Sequence, residues 1–218
     1  MLLGGTGNLH KLEEISSVLN DLSVRTVGIE HLPPCEEVEE TGVTFKENAL
    51  IKAVYFSRMA AGLDPSERPR WVIADDSGLC VDALDGAPGV YSARFAGENC
   101  TFADNNRKLL DALEGVEAAK RTAQFVCVIC CVPVLEDASV EPEALFYSEG
   151  ICPGHIALDE AGTGGFGYDP VFIEASTGRT FAELETEQNN RLSPRGQAHE
   201  HIRAVSYTHH RAHEPEAT

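Results

Sequence analysis

The chain has 218 residues, 43% of them hydrophobic and 24% charged, and its 17 Lys+Arg against 35 Asp+Glu leave a formal net charge of −18. That length builds one domain with a real apolar core, by default a single α/β domain, and that composition excludes a disordered polymer. A surface this acidic repels polynucleotide phosphates, so no nucleic-acid polymer is expected as a partner, whereas a small anion can still be held where a few cations cluster.

Met1–Gly5 reads as a short first strand that enters a turn at Thr6-Gly7-Asn8, after which Leu12, Ile15 and Leu19 recur at helical spacing. Asp21–Val27 offers a second strand, and the acidic stretch Glu36–Glu40 leads to Thr44. Thr44 is a natural cap for a helix with Phe45, Ala49, Ala53 and Phe56 on one face, and the same helix carries Lys52. The apolar run Trp71–Ala74 is expected to end in a turn at Asp75-Asp76-Ser77-Gly78, which would put carboxylates at a strand's C-terminal end. A helix is predicted from about Ala103 to Leu113, and strands around Gln124–Val134 and Leu145–Gly150. The glycine-rich loop Gly162–Gly167 then precedes Tyr168–Ile173, which reads as a strand. A last helix is predicted to start at Ser193, with Pro194 in its first turn, where a missing N–H costs nothing. Mixed strands and helices favour an α/β class with a partly antiparallel sheet.

Three places carry chemistry. Asp75 and Asp76 are hard oxygen donors of the kind Mg²⁺ takes together with substrate phosphates; a turn with a helix cap is the alternative reading. Thr6-Gly7-Asn8 with Lys11 in the following helical turn suits an anion, because glycine admits the backbone and an ammonium adds charge. It lacks the P-loop pattern, which argues against a kinase or motor ATPase. Gly162–Gly167 matches GxGxxG, yet a strand and not a helix is expected next, so a nicotinamide site is a poor reading. The loop instead offers Phe166 as a stacking face and Asp169 as an acceptor.

The cysteines Cys35, Cys80, Cys100, Cys127, Cys130, Cys131 and Cys152 are odd in number and scattered, as in a reducing cytosol. Cys127 and Cys130 have zinc-like spacing but no second pair, and Ala123–Val134 reads as an apolar strand with small buried side chains. The chain has neither a membrane-length apolar run nor a signal-peptide flank at its N-terminus, so a cytoplasmic protein without a membrane partner is expected. His199, His201, His209, His210 and His213 crowd a polar tail to which no function is assigned.

Taken in order, Thr6-Gly7-Asn8 with Lys11 and Glu14, Thr44-Phe45 through Lys52-Ala53, Ala74-Asp75-Asp76-Ser77-Gly78-Leu79, Gly86–Arg94 and Gly164–Pro170 resemble the inosine triphosphate pyrophosphatase family. The resemblance runs from residue 1 to about residue 200. It implies an elongated two-lobed α/β fold around a central mixed β-sheet with flanking helices and an active site in the cleft between lobes. It further implies a likeness in assembly, a homodimer, and in chemistry: Mg²⁺-dependent hydrolysis of XTP, ITP and dITP to the monophosphate and pyrophosphate, clearing them from the nucleotide pool. On that likeness residues 1–205 form the pyrophosphatase domain and 206–218 the His-rich tail.

By position within the resemblance, Asp76 is general base and metal ligand, with Glu39 as second ligand. Thr6, Gly7, Asn8, Lys11 and Lys52 would hold phosphates, Ser77 would touch the nucleotide, Phe166 and Asp169 would hold the base with Arg195 contacting it, and Leu9, His10, Gly167, Tyr168 and Asn189 would bind the substrate. A guanidinium at Arg195 only donates, so it accepts a 6-oxo purine and opposes adenine's amino group. The family usually has Lys-Asn…Ser-His-Arg where this chain has Asn189-Asn190…Ser193-Pro194-Arg195, and His10 stands where glycine is common. Two lost donors at the base cost about 1–3 kcal/mol each if buried, which blunts selectivity while sparing the phosphate machinery. The alternatives are a pyrophosphatase of altered or broad base specificity, a catalytically weak nucleotide-binding protein, and a phosphatase that releases single phosphates.

Overall fold

The computed structural model describes residues 1–7, 11–12, 16, 24–137 and 139–198. Asn8, Leu9, His10, most of the helix predicted after them and the His-rich tail therefore lie outside the described residues, although Lys11 and Leu12 are helical.

Six strands form one sheet: β1 (Leu2–Gly4), β2 (Thr26–Val27), β3 (Trp71–Val81), β4 (Thr122–Pro133), β5 (Phe146–Ile156) and β6 (Phe172–Glu174), in the order β2-β1-β3-β4-β5-β6. β1 pairs parallel with β2 and with β3, setting Leu3 opposite Val27 and Val72, whereas β5 and β6 pair antiparallel with Ile156 opposite Phe172. The sheet is thus mixed and the class α/β, as expected. Among the described residues, the helices of seven residues or more are α1 (Phe45–Ala61), α2 (Phe102–Ala112) and α3 (Thr186–Leu192).

Contacts divide the chain into two compact units. The first comprises Met1–Asp75, Val128–Glu149 and the segment from Ala198 onward. Its core is the buried face of α1 (Ala49, Ala53, Phe56, Ala60) with Leu2, Leu3, Val72, Ile73 and the β4 run Val128–Val132. Helix α1 starts where it does because Thr44 and Glu47 make a reciprocal capping box: the Thr44 hydroxyl accepts from the Glu47 amide at 3.2 Å and the Glu47 carboxylate accepts from the Thr44 amide at 3.1 Å. At the end of β1, Gly5 is required by space, since a Cβ there would come within 2.7 Å of the Phe56 ring.

The second unit comprises Asp76–Cys127 and Gly150–Gln197. Leu79, Val81, Leu109, Leu113, Ile156, Tyr168, Val171, Phe172 and Phe181 form its core, with the Phe125 ring 4.6 Å from that of Phe172. Arg121 is buried there with its guanidinium donating to the carbonyls of Val116, Ala157 and Leu113, so a charged group taken out of water keeps three hydrogen-bond partners.

Two expectations are corrected, and the last helix opens at Ser193-Pro194 as expected. β3 does not turn at Asp75-Asp76-Ser77-Gly78 but runs straight through to Val81, because buried Leu79 and Val81 continue the strand and neighbouring strands pair its backbone. The turn-forming residue types are overridden by tertiary pairing. The strand after the glycine-rich loop starts at Phe172, with Tyr168–Val171 forming a turn in which the Val171 amide donates to the Tyr168 carbonyl. A helix at Thr186–Leu192 precedes the predicted one. A new helical segment does open at Pro194, and the Ser193 hydroxyl accepts from the Gly196 amide at 3.0 Å.

Candidate active site

In the first unit, β1 ends in Gly5-Thr6-Gly7, and these residues open onto a cavity of ≈ 470 Å³ that Lys11, Lys52, Asp75 and Glu40 also line. Each lysine meets a carboxylate: Lys11 Nζ lies 2.8 Å from Asp75 Oδ2, and Lys52 Nζ lies 3.1 Å from Glu40 Oε1. Asp75 is buried in β3, so the ion pair with Lys11 offsets part of the cost of taking its charge out of water. Lys52 projects from α1, whose cap fixes the helix start eight residues earlier. Four of the predicted phosphate contacts, Thr6, Gly7, Lys11 and Lys52, are therefore brought to one cavity, and the acidic segment Glu36-Glu37-Val38 lines its rim.

The sequence reading missed Asp75 and Glu40 as lysine partners. Strand alternation sends Asp75 and Asp76 to opposite faces, but nothing local to Asp75 points to Lys11. Asp76 is buried at 6% relative exposure, as the first residue of the second unit, and Ser77 follows it half-buried in β3. Glu39 is exposed and Glu40 lines the cavity.

The second unit gathers the predicted base-side residues. Between Gly165 and Gly167, both at positive φ, the Phe166 amide donates to Asp169 Oδ2 at 2.9 Å while its ring stays 60% exposed. Gly165 has no substitute, because a Cβ there would fall 2.0 Å from the same carboxylate oxygen. Burial pushes the Asp169 carboxyl up to about 6, against the opposing pull of the Phe166 amide, a hydrogen bond with Asn189 and the charge of Arg195. Asn189 also donates to the Phe181 carbonyl, at 3.3 Å. Tyr168 is buried and its hydroxyl donates to the Ser92 carbonyl at 2.9 Å.

Among the described residues, no group of three or more His, Cys, Asp or Glu side chains is placed to hold a metal ion. None of the seven cysteines forms a disulfide, and the zinc-spaced Cys127 and Cys130 are buried in β4.

By its geometry this is an α/β protein with a cavity lined by two lysines and several carboxylates and, in its second unit, an exposed aromatic residue next to a buried carboxylate. A sequence model of the Ham1 family matches residues 2–205, and the chain belongs to that family. It is 46% identical over 193 residues to a Thermoanaerobacter protein and 45% identical over 193 residues to one from Shigella flexneri, both named dITP/XTP pyrophosphatase. Those alignments cover 88% of this chain and 89% and 91% of the respective relatives. Among solved structures, a HAM1 protein from Coxiella burnetii is similar at a TM-score of 0.79 and 39% identity, covering 95% of this chain and 98% of that one. The Staphylococcus aureus Ham1 protein is similar at the same TM-score and 37% identity, with the same coverage. The fold read from the motifs and the family resemblance are thereby borne out.

Proposed function

We propose that this chain hydrolyses deaminated purine nucleoside triphosphates (XTP, ITP, dITP) to the monophosphate and pyrophosphate. The observation that carries the reading is the convergence of Lys11 and Lys52 on one cavity floored by Gly5-Thr6-Gly7, each lysine held by a carboxylate. Phosphoryl transfer asks chiefly for charge neutralisation and alignment, and two ammonium groups on one cavity supply positive charge that a triphosphate can recruit from their carboxylate partners. The names of the relatives support the substrate class.

In this mechanism Thr6, Gly7, Asn8, Leu9, His10, Lys11 and Lys52 hold the phosphates. Water attacks the α-phosphorus, its proton passes to a carboxylate oxygen of Asp76, the α–β bridging bond breaks, and pyrophosphate leaves. Carboxylates at Asp76 and Glu39 fit Mg²⁺, which takes one or two such oxygens and completes its shell from water and phosphate. When bound it would neutralise phosphate charge and polarise the reacting oxygens. Ser77 contacts the nucleotide. On the base side, Phe166 stacks, Asp169 accepts from the ring N–H, Arg195 donates to the 6-oxo group, and Gly167, Tyr168 and Asn189 shape the pocket. The active protein is a cytoplasmic homodimer.

One observation favours a second reading, a broader base specificity. The Asn189 amide is spent on Phe181 and Asp169, so it offers the base less than a free cation would. The test is purified protein with Mg²⁺ and XTP, ITP, GTP or ATP, scoring pyrophosphate separately from orthophosphate. Pyrophosphate from XTP and ITP is expected well above that from ATP, and Asp76→Asn abolishes it with the circular dichroism spectrum intact. Equal turnover of ATP and ITP favours the broad reading. Orthophosphate as the main product, or full activity in the Asp76 variant, defeats the mechanism.

A further inference from the structure

Phe102 is the first residue of α2, and its side chain is 57% exposed. Nothing in helix formation asks for a large apolar ring there: the first turn is already secured by Thr101 and Asp104 in a reciprocal capping box. Its backbone is doubly anchored, because Asn105 one turn on accepts from the Ala96 amide at 2.7 Å and donates to the Ala93 carbonyl at 3.1 Å. A solvent-exposed ring is thus carried on a rigid mount. It faces one other aromatic group, Phe166, with ring centroids 6.4 Å apart and planes tilted by 53°.

Phe166 shows the complementary pattern. Its backbone is pinned by the amide bond to Asp169 and shaped by the two flanking glycines, yet its ring is largely in water. A flat heterocycle cannot slip between two rings 6.4 Å apart at this tilt, since a parallel sandwich needs about twice the ordinary contact distance of 3.5 Å. The two rings instead form one stepped apolar platform, with the Asp169 carboxylate at the Phe166 end.

We propose that Phe102 is a specificity-determining residue. It buttresses Phe166 and extends the stacking face so that a bicyclic base covers both rings, whereas a single-ring base covers Phe166 alone. The proposal deepens the base-side reading given above and rests on it. An aromatic contact of this type corresponds to about a two- to tenfold effect on affinity.

The experiment compares kcat and KM of wild type, Phe102→Ala, Phe102→Tyr and Phe166→Ala with ITP and UTP, with melting temperatures recorded alongside. Phe102→Ala is expected to raise KM for ITP about two- to tenfold, to change KM for UTP less than about twofold, and to leave kcat for both near wild type. Phe102→Tyr, which keeps the ring, retains the wild-type ITP to UTP ratio. A merely structural role for Phe102 shifts both substrates alike or lowers the melting temperature, and either result overturns the proposal. So does an unchanged ITP to UTP ratio in Phe102→Ala. If Phe166→Ala also leaves KM for ITP untouched, the base-side reading has failed as well; if Phe166→Ala raises it and Phe102→Ala does not, only the buttress has failed.

Discussion

Asp169 has two demands on it that pull in opposite directions. As a structural group it accepts from the Phe166 amide and shapes the loop, while burial disfavours its charge and holds its carboxyl at about 6, above the 3.8 of an unperturbed aspartate. The folded state therefore binds this proton more tightly than the unfolded state. The associated stability is fully present below pH 3.8 and is lost as pH rises through about 6. The full difference corresponds to about 3 kcal/mol. Urea titrations from pH 4 to 7.5 should show this decline in the wild type and a flatter profile in Asp169→Asn. Catalysis has the opposite sign, because the ionised carboxylate is the form that accepts from a base N–H. KM for ITP is expected to rise as pH falls through about 6, and in Asp169→Asn to be high at every pH. A carboxyl carbon signal that titrates near 4 in NMR would contradict both expectations.

At the scale of elements, α1 makes a separable prediction. Its capping box satisfies two backbone amides that the helix cannot satisfy itself, so Thr44→Ala should lower stability by about 1 kcal/mol in urea unfolding. Thr44 lies outside the lysine cavity, so turnover at saturating ITP should stay within about twofold. This helix was legible in the sequence because Thr44, Glu47 and the spacing of Ala49, Ala53 and Phe56 all point the same way. The strand β3 was only half legible. Asp-Asp-Ser-Gly is locally a turn, and what keeps it extended is the pairing of its neighbours and a lysine 64 residues away in sequence. Long-range partners of that kind leave no local trace, which is also why Lys52 could be placed on its helix while its partner Glu40 went unnoticed in the acidic stretch Glu36–Glu40. Phe102 was invisible for a different reason: an apolar residue at a helix start reads as the edge of a core until its ring is found in water against another exposed ring.

For the whole molecule, the question is what the fold depends on. The strands of both units are lined by buried aliphatic and aromatic side chains. The thiols of β4 and β5 belong to that apolar interior: burial pushes Cys130 up to about 11, and Cys131 and Cys152 up to about 12. At neutral pH such groups stay protonated and act as small hydrophobes, neither reactive thiolates nor metal ligands. Stability then resides in area removed from water, and a bound divalent ion adds to it only through mass action. Chelation should therefore separate activity from folding. With excess EDTA, pyrophosphate release from ITP is expected to vanish and to return on adding Mg²⁺, while the melting temperature without substrate moves by less than about 2 °C. A drop of 10 °C or more on chelation would mean that a metal helps to hold the fold together, and the apolar core would no longer account for its stability.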